Sequence, residues 1–254
     1  MRWGEKRYHS LDYELKQMFK EKVYKIALNG GMTCPNRDGH VGTGGCIFCS
    51  SQGSGDFAGS ARLSIAEQIK QGKADISSKR PVHSYIAYFQ AFTNTYAPVE
   101  TLRALYMEAI ADPEVKILSI ATRPDCLGAD VLALLDEINH IKPVWVELGL
   151  QTIHPETSAY IRRGYELSVF EQAVKELRAI GITVIVHTIL YLPGETKDDM
   201  LDTIHYLNHM DIQGIKLQLL HVLTHTDLAA DYEKHPFYIP DMQDYIHFLG
   251  TCIA

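Results

Sequence analysis

Lys25-Ile26-Ala27-Leu28-Asn29-Gly30-Gly31 leads into Cys34-Pro35-Asn36-Arg37-Asp38-Gly39-His40-Val41-Gly42-Thr43-Gly44-Gly45-Cys46-Ile47-Phe48-Cys49. A short apolar strand thus enters a glycine- and cysteine-rich loop reaching to about residue 60, and Ser64 and Glu67, in capping-box spacing, open a helix expected over Ser64–Lys73. The same alternation recurs downstream. Strands are expected at Ser84–Phe89, Lys116–Ala121, Val144–Leu150, Thr183–Leu190 and Gly214–Leu220. Helices are expected at Val99–Ala111, Ala129–Asn139, Ser168–Ile180 and Lys197–Met210, and from Pro240 to the end. The strands are apolar almost throughout, which implies cover on both faces and a parallel sheet, closed as a barrel or doubly wound. Polar residues gather where the strands end: Gln90, Thr122-Arg123, Gln151 and Gly194-Glu195. In either architecture that is the functional edge.

The chain has 254 residues, 46% of them hydrophobic, enough for one sizeable core. One domain is expected over 25–254, preceded by an arm at 1–24, with the last helix expected to continue beyond Ala254. Net charge is -7, so no global positive field attracts nucleic acid. Residues 1–25 hold seven Lys and Arg against four Asp and Glu, however, a local +3 that suits a phosphate backbone or a solvated helix face. No apolar run approaches the roughly 18 residues of a membrane span, the N-terminus lacks the apolar stretch of a signal peptide, and the expected compartment is the cytoplasm. Five cysteines, an odd number, argue against a disulfide framework.

Cys34, Cys46 and Cys49 follow the spacing C-x11-C-x2-C. Thiolates suit zinc or an iron–sulfur cluster. Structural zinc takes four ligands, and here only one close pair exists, with His40 as a fourth donor. Three thiolates on a 4Fe-4S cluster would leave one iron open for chemistry.

These residues resemble the radical S-adenosylmethionine (SAM) superfamily, its long first gap being similar to the branch of elongator's catalytic subunit. The motif above, with Gly53-Ser54-Gly55-Asp56-Phe57-Ala58-Gly59, Tyr88–Tyr96, Thr122–Leu127, Glu147–Thr152 and Leu192–Thr196, resembles the YtqA/YhcC-type family. The resemblance implies a partial (β/α)6 TIM-like barrel and reductive cleavage of S-adenosyl-L-methionine at a 4Fe-4S cluster held by Cys34, Cys46 and Cys49. It sets Phe48 near the adenine, although a core aromatic fits as well. Gln90 and Ala91 would present backbone carbonyls to the ammonium of SAM. Gln151 and Arg163, twelve apart, would contact ribose and carboxylate, with Arg162 a competitor for the second role. Glu147 would take a ribose hydroxyl. Ala121 stands where some relatives carry a glutamate, so Thr122 and Arg123 inherit part of that work. Leu192–Thr196 either shapes the adenine pocket or is a joint capped by Thr196.

Cys126, past the third strand, is a candidate for the substrate side of the mouth or a small buried residue; Cys252 reads as core. His205/His209 and His221/His225 lack acidic companions and read as surface or core. The resemblance further implies a transfer RNA substrate, the wobble uridine, with carboxymethylaminomethyl trimmed to aminomethyl ahead of a methyltransferase. Flavodoxin or ferredoxin is the expected electron donor. A small metabolite or protein substrate, or a non-enzymatic electron-transfer module, is the alternative.

Overall fold

The computed structural model describes residues 2–78 and 82–254, so the first residue of the basic arm lies outside it. Six parallel strands, β1 (Tyr24–Leu28), β2 (Tyr85–Phe89), β3 (Val115–Thr122), β4 (Val144–Gln151), β5 (Thr183–Leu190) and β6 (Gly214–Leu219), pair strictly in chain order. Helices α2 (Ile65–Ser77), α3 (Val99–Ala111), α4 (Ala129–Asn139), α6 (Leu167–Ala179) and α7 (Lys197–Asn208) cross over between them. The sheet curls into a half-barrel, the partial TIM-like barrel expected. Ser64 and Glu67 form the capping box that starts α2, and Gly181, in the left-handed region at φ 75°, follows the end of α6.

Alternation along the strands separates two cores. Leu28, Phe89, Leu118, Ile120, Val146, Leu148, Val184 and Val186 pack with the helices. Ile86, Tyr88, Ile117 and Trp145 face inward and form a second cluster with Leu15 and Val23. Leu15 belongs to α1 (Leu11–Phe19), a helix inside the basic arm whose N-cap is Ser10. The arm therefore lies against the floor of the barrel, at the end opposite the strand C-termini. Part of its charge is spent internally, as Asp12 bridges Lys16 at 2.9 Å and Lys22.

Three short helices complete the chain: α5 (Pro155–Tyr160), α8 (Asp227–Lys234) and α9 (Met242–Cys252). Phe248 of α9 is buried with Leu190, Tyr191 and Met200. No helix among the described residues is long and apolar enough to cross a membrane.

Candidate active site

The long gap between Cys34 and Cys46 folds back on itself. Arg37 N–H donates to the Cys34 carbonyl (2.8 Å), Val41 N–H to Pro35 (2.8 Å) and Gly45 N–H to Asn36 (2.7 Å), and an antiparallel bridge joins Asp38 to Thr43. This doubling returns Cys46 and Cys49 to Cys34, and all three line one cavity of about 280 Å³ at the strand C-termini. Two side chains lock the fold. Asn36 Nδ2 donates to the Arg162 carbonyl at 2.6 Å and lies 3.5 Å from Cys46 Sγ. Arg37 Nη2 donates to the Ser50 carbonyl at 2.6 Å. Gly45, at φ 85°, lets Arg37 pass, since a Cβ there would lie 2.8 Å from Arg37 Nε.

Among the described residues no three His, Cys, Asp or Glu side chains converge as ligands of a single ion. The cysteines instead ring a shared space, the arrangement a cluster with one thiolate per iron requires. The hydrogen bond from Cys46 lowers the pKa of Cys49, and Arg37 and Ser54 add to this, against burial. His40 stands outside the cavity, in a neighbouring cleft, with its ring 6.3 Å from that of Tyr96.

Phe48, Gln90, Thr122, Arg123, Glu147, Gln151 and Arg163 all line the cavity. Gln151 ends β4 at a register irregularity, with φ 68°, so the strand re-aims its side chain. Its Oε1 is buried without a hydrogen-bond partner, an acceptor waiting for a donor. Arg163 is buried, and its Nε and Nη1 donate to the carbonyls of Tyr165, Leu150 and Thr152 at 2.6–3.1 Å. Arg162, half-exposed, pairs with Asp227; of the two adjacent arginines only Arg163 reaches the cavity. Arg123 is committed to Asp125 (2.7 and 2.9 Å) and the Arg163 carbonyl (2.8 Å). Thr122 Oγ1 lies 2.5 Å from Thr95 Oγ1. Gln90 Nε2 ties the glycine loop through the Ser54 carbonyl at 2.8 Å. Phe48 packs on Ile47, Ile189 and Leu220 and forms part of the cavity wall.

Two expected residues fall elsewhere. Ala91 is buried against Gly55 and does not line the cavity. Cys126 lies in the neighbouring cleft with His40 and Tyr96, because the single 3-10 turn at Pro124–Cys126 carries it past the mouth. Burial and Asp125 push its thiol up to about 12, far from a reactive thiolate. Thr196 caps α7 in a reciprocal pair with Asp199. Glu195 beside it has a buried Oε1 without a partner, its pKa raised by burial, and lies outside the cavity.

Beneath these residues lies a charged layer in which Glu147, an expected site residue, meets Lys25, His187 and Lys216, which the sequence did not assign to the site. The Glu147 side chain is fully buried, and its Oε1 accepts from Lys25 and from Ser119 (2.6 Å). Its Oε2 faces His187 Nε2 at 2.7 Å. The expected ribose contact thus meets a carboxylate with both oxygens engaged within the chain. Burial raises its pKa, but His187 and Lys25 outweigh burial and hold it well below the carboxylate range. Burial lowers the pKa of His187. The Tyr88 ring sits under the Lys25 ammonium (4.3 Å) and that of Lys216 (5.9 Å).

A half-barrel with a three-cysteine loop at its mouth defines a class. Residues 36–207 match the Radical SAM superfamily, and the chain belongs to it. Within that class its relatives are YtqA/YhcC-type proteins. The uncharacterized protein YtqA of Bacillus subtilis (strain 168) is 46% identical over 245 residues, covering 96% of this chain and 76% of the relative. Protein YhcC of Escherichia coli (strain K12) is 37% identical over 241 residues, covering 94% and 77%. Among solved structures, the archaeal Methanocaldococcus infernus Elp3 aligns with a TM-score of 0.66 at 15% identity, over 91% of this chain and 53% of Elp3. Escherichia coli coproporphyrinogen III oxidase (HemN), a radical SAM enzyme, aligns at 0.60 and 15%, over 96% and 55%. The chain spans about half the length of those two structures, and the likeness is one of fold. The protein is a radical SAM superfamily enzyme whose cofactors are a 4Fe-4S cluster and SAM, and which needs a reductant.

Proposed function

We propose that the protein modifies the wobble uridine of transfer RNA, trimming a 5-carboxymethylaminomethyl group to aminomethyl. The observation that carries the enzymatic part is the buried, unpartnered Gln151 Oε1 on the wall of the three-cysteine cavity. A buried acceptor left empty costs about 1–3 kcal/mol, and a ligand hydroxyl relieves that cost. A ribose supplies such a hydroxyl.

The assignment of residues follows. Cys34, Cys46 and Cys49 would hold the cluster, with Asn36 and Arg37 fixing the loop around them. Gln151 would accept from the ribose of SAM, while the apolar wall of Phe48, Ile189 and Leu220 receives the adenine. Thr122, Gln90 and the Arg163 Nη2 group face the amino-acid end; Arg123, held by Asp125, orients Arg163 through its carbonyl. The chemistry the bound cofactors supply is one-electron cleavage of SAM to methionine and a 5′-deoxyadenosyl radical, which takes a hydrogen atom from the substrate. The chain's part is to bind, orient and exclude water.

The substrate rests on the resemblance to the YtqA/YhcC-type family and to the elongator branch. Flavodoxin or ferredoxin would deliver the electron, a methyltransferase would act on the product, and the setting is the cytoplasm. The basic arm supports the transfer RNA reading less than its charge implies, because α1 lies at the floor of the barrel and not at the mouth. The test is anaerobic reconstitution, reduction with dithionite, and addition of SAM and of transfer RNA from cells lacking this protein, with 5′-deoxyadenosine and the nucleoside profile followed by liquid chromatography. Wild type should form 5′-deoxyadenosine and aminomethyluridine, and Cys46→Ala should form neither. 5′-Deoxyadenosine formed while the nucleosides stay unchanged sinks the transfer RNA assignment and leaves the enzyme class standing.

A further inference from the structure

Lys216 is the surplus charge of the layer beneath the site. It lies on β6 in register with His187, and it lines the cavity beside Tyr88, Glu147 and Gln218. The layer's single carboxylate, Glu147, already has an ion-pair partner in Lys25 and hydrogen bonds from Ser119 and His187. Two lysines of the layer thus stand around one carboxylate, and only Lys25 is paired with it. Among the described residues Lys216 has no carboxylate within 4 Å; its named neighbour is the Tyr88 ring. A lysine whose role is structural reaches solvent with its head or pairs with an acid. This one pairs with no acid among the described residues, and it is partly buried on the wall of the three-cysteine cavity.

We propose that Lys216 anchors a carboxylate carried by the substrate, so that the cavity floor selects an acid over its neutral amide. A partly desolvated ammonium gains more from a carboxylate partner than one in water. The Tyr88 ring holds both lysines in place. The inference rests on the proposed reading only for its source: a 5-carboxymethylaminomethyl group carries such a carboxylate at its tip, and a free N-substituted glycine carries the same one.

The test compares acid with amide on the reconstituted holoenzyme, with SAM present throughout. The RNA probe is an anticodon stem-loop with 5-carboxymethylaminomethyluridine at the wobble position, set against the same RNA as its side-chain amide. The small probe is N-methylglycine against its amide. Affinity is read by titration, and occupancy of Lys216 by its protection from acetic anhydride, measured by peptide mass spectrometry. Wild type should prefer the acid by about tenfold or more, the loss expected for one charged hydrogen bond. Lys216→Met should bring the two within about twofold, and Lys216→Arg should keep most of the preference. Discrimination and protection with N-methylglycine alone uphold the anchor while the transfer RNA reading falls. Equal binding of acid and amide by wild type, which requires no variant, overturns the proposal. So does a preference retained in Lys216→Met, or full protection of Lys216 by SAM alone.

Discussion

Glu147→Gln isolates what one buried charge contributes to this barrel. The carboxylate is fully buried and receives Lys25 and Ser119 on one oxygen and His187 on the other. Glutamine has the same shape. Its carbonyl can accept from Lys25 and Ser119, and its amide can donate to His187 once the ring changes tautomer, so the hydrogen bonds survive and only the charge is lost. Breaking a buried pair costs about 3–5 kcal/mol, and the lower end applies where hydrogen bonds persist. At roughly 2 °C per kcal/mol for a chain of this size, the melting temperature should fall by about 6 °C, and Glu147→Ala should fall further. The assay is thermal and urea denaturation at matched cluster content. The gap to wild type should also depend on pH. A carboxylate with a depressed folded pKa stabilises fully above its unfolded value, 4.5, and loses that contribution as pH falls toward the folded value. The difference between wild type and Glu147→Gln should therefore be constant from pH 8 to about 5.5 and narrow below about 4.5. A Glu147→Gln protein that melts within about 1 °C of wild type at pH 7 would refute the reasoning, because the layer would then be held by hydrogen bonds and packing alone.

Four further outcomes are expected. His187→Gln keeps a donor near the Nε2 position toward Glu147 and removes a titrating group: burial lowers the folded pKa of His187, so its contribution is present above about 6.5 and lost as pH falls, and the variant should show a flatter urea stability than wild type between pH 7.5 and 5.5. Gln151→Ala should weaken SAM binding by about tenfold in calorimetric titration while cluster absorbance stays unchanged. Gly53→Ala puts a Cβ into the Phe92 ring at φ 56° and should lower iron content after reconstitution, measured per mole of protein. Cys126, its thiol pushed up to about 12, should resist iodoacetamide at pH 8 in the holoprotein, and Cys126→Ser should retain the cluster spectrum.

The barrel was legible because its strands are short, apolar and spaced by amphipathic helices. β5 is found at Thr183–Leu190, as read, and α3 and α4 coincide with their expected ranges. The missed helices have identifiable reasons. In α1 only Leu15 is buried, so the surrounding charge masked an apolar contact. α5 has six residues, too few for a periodic signal. Of the polar strand ends, Gln90, Thr122, Arg123 and Gln151 meet at the cavity, whereas Gly194-Glu195 falls outside it. The charged layer could not be read in advance. Lys25 and Glu147 are 122 positions apart, and the sequence marked Glu147 for a ribose contact, not for a buried ion pair with Lys25. Only the curl of the sheet makes them neighbours.

The cysteine loop has a consequence for the order in which the protein is made. All three thiols leave the ribosome with the first strand, but their seat comes much later. Asn36 closes on the carbonyl of a residue 126 positions downstream. Ile47 N–H donates to the Ile161 carbonyl, and its own carbonyl accepts from Leu228 N–H. At roughly 5–20 residues per second, the nascent chain carries three exposed, unseated thiols for about 9–36 s before that seat is complete. Iron and sulfide delivered in that interval would find ligands without walls. The seat of the cluster is therefore timed by the segment after α5 and by α8, and not by the cysteines themselves.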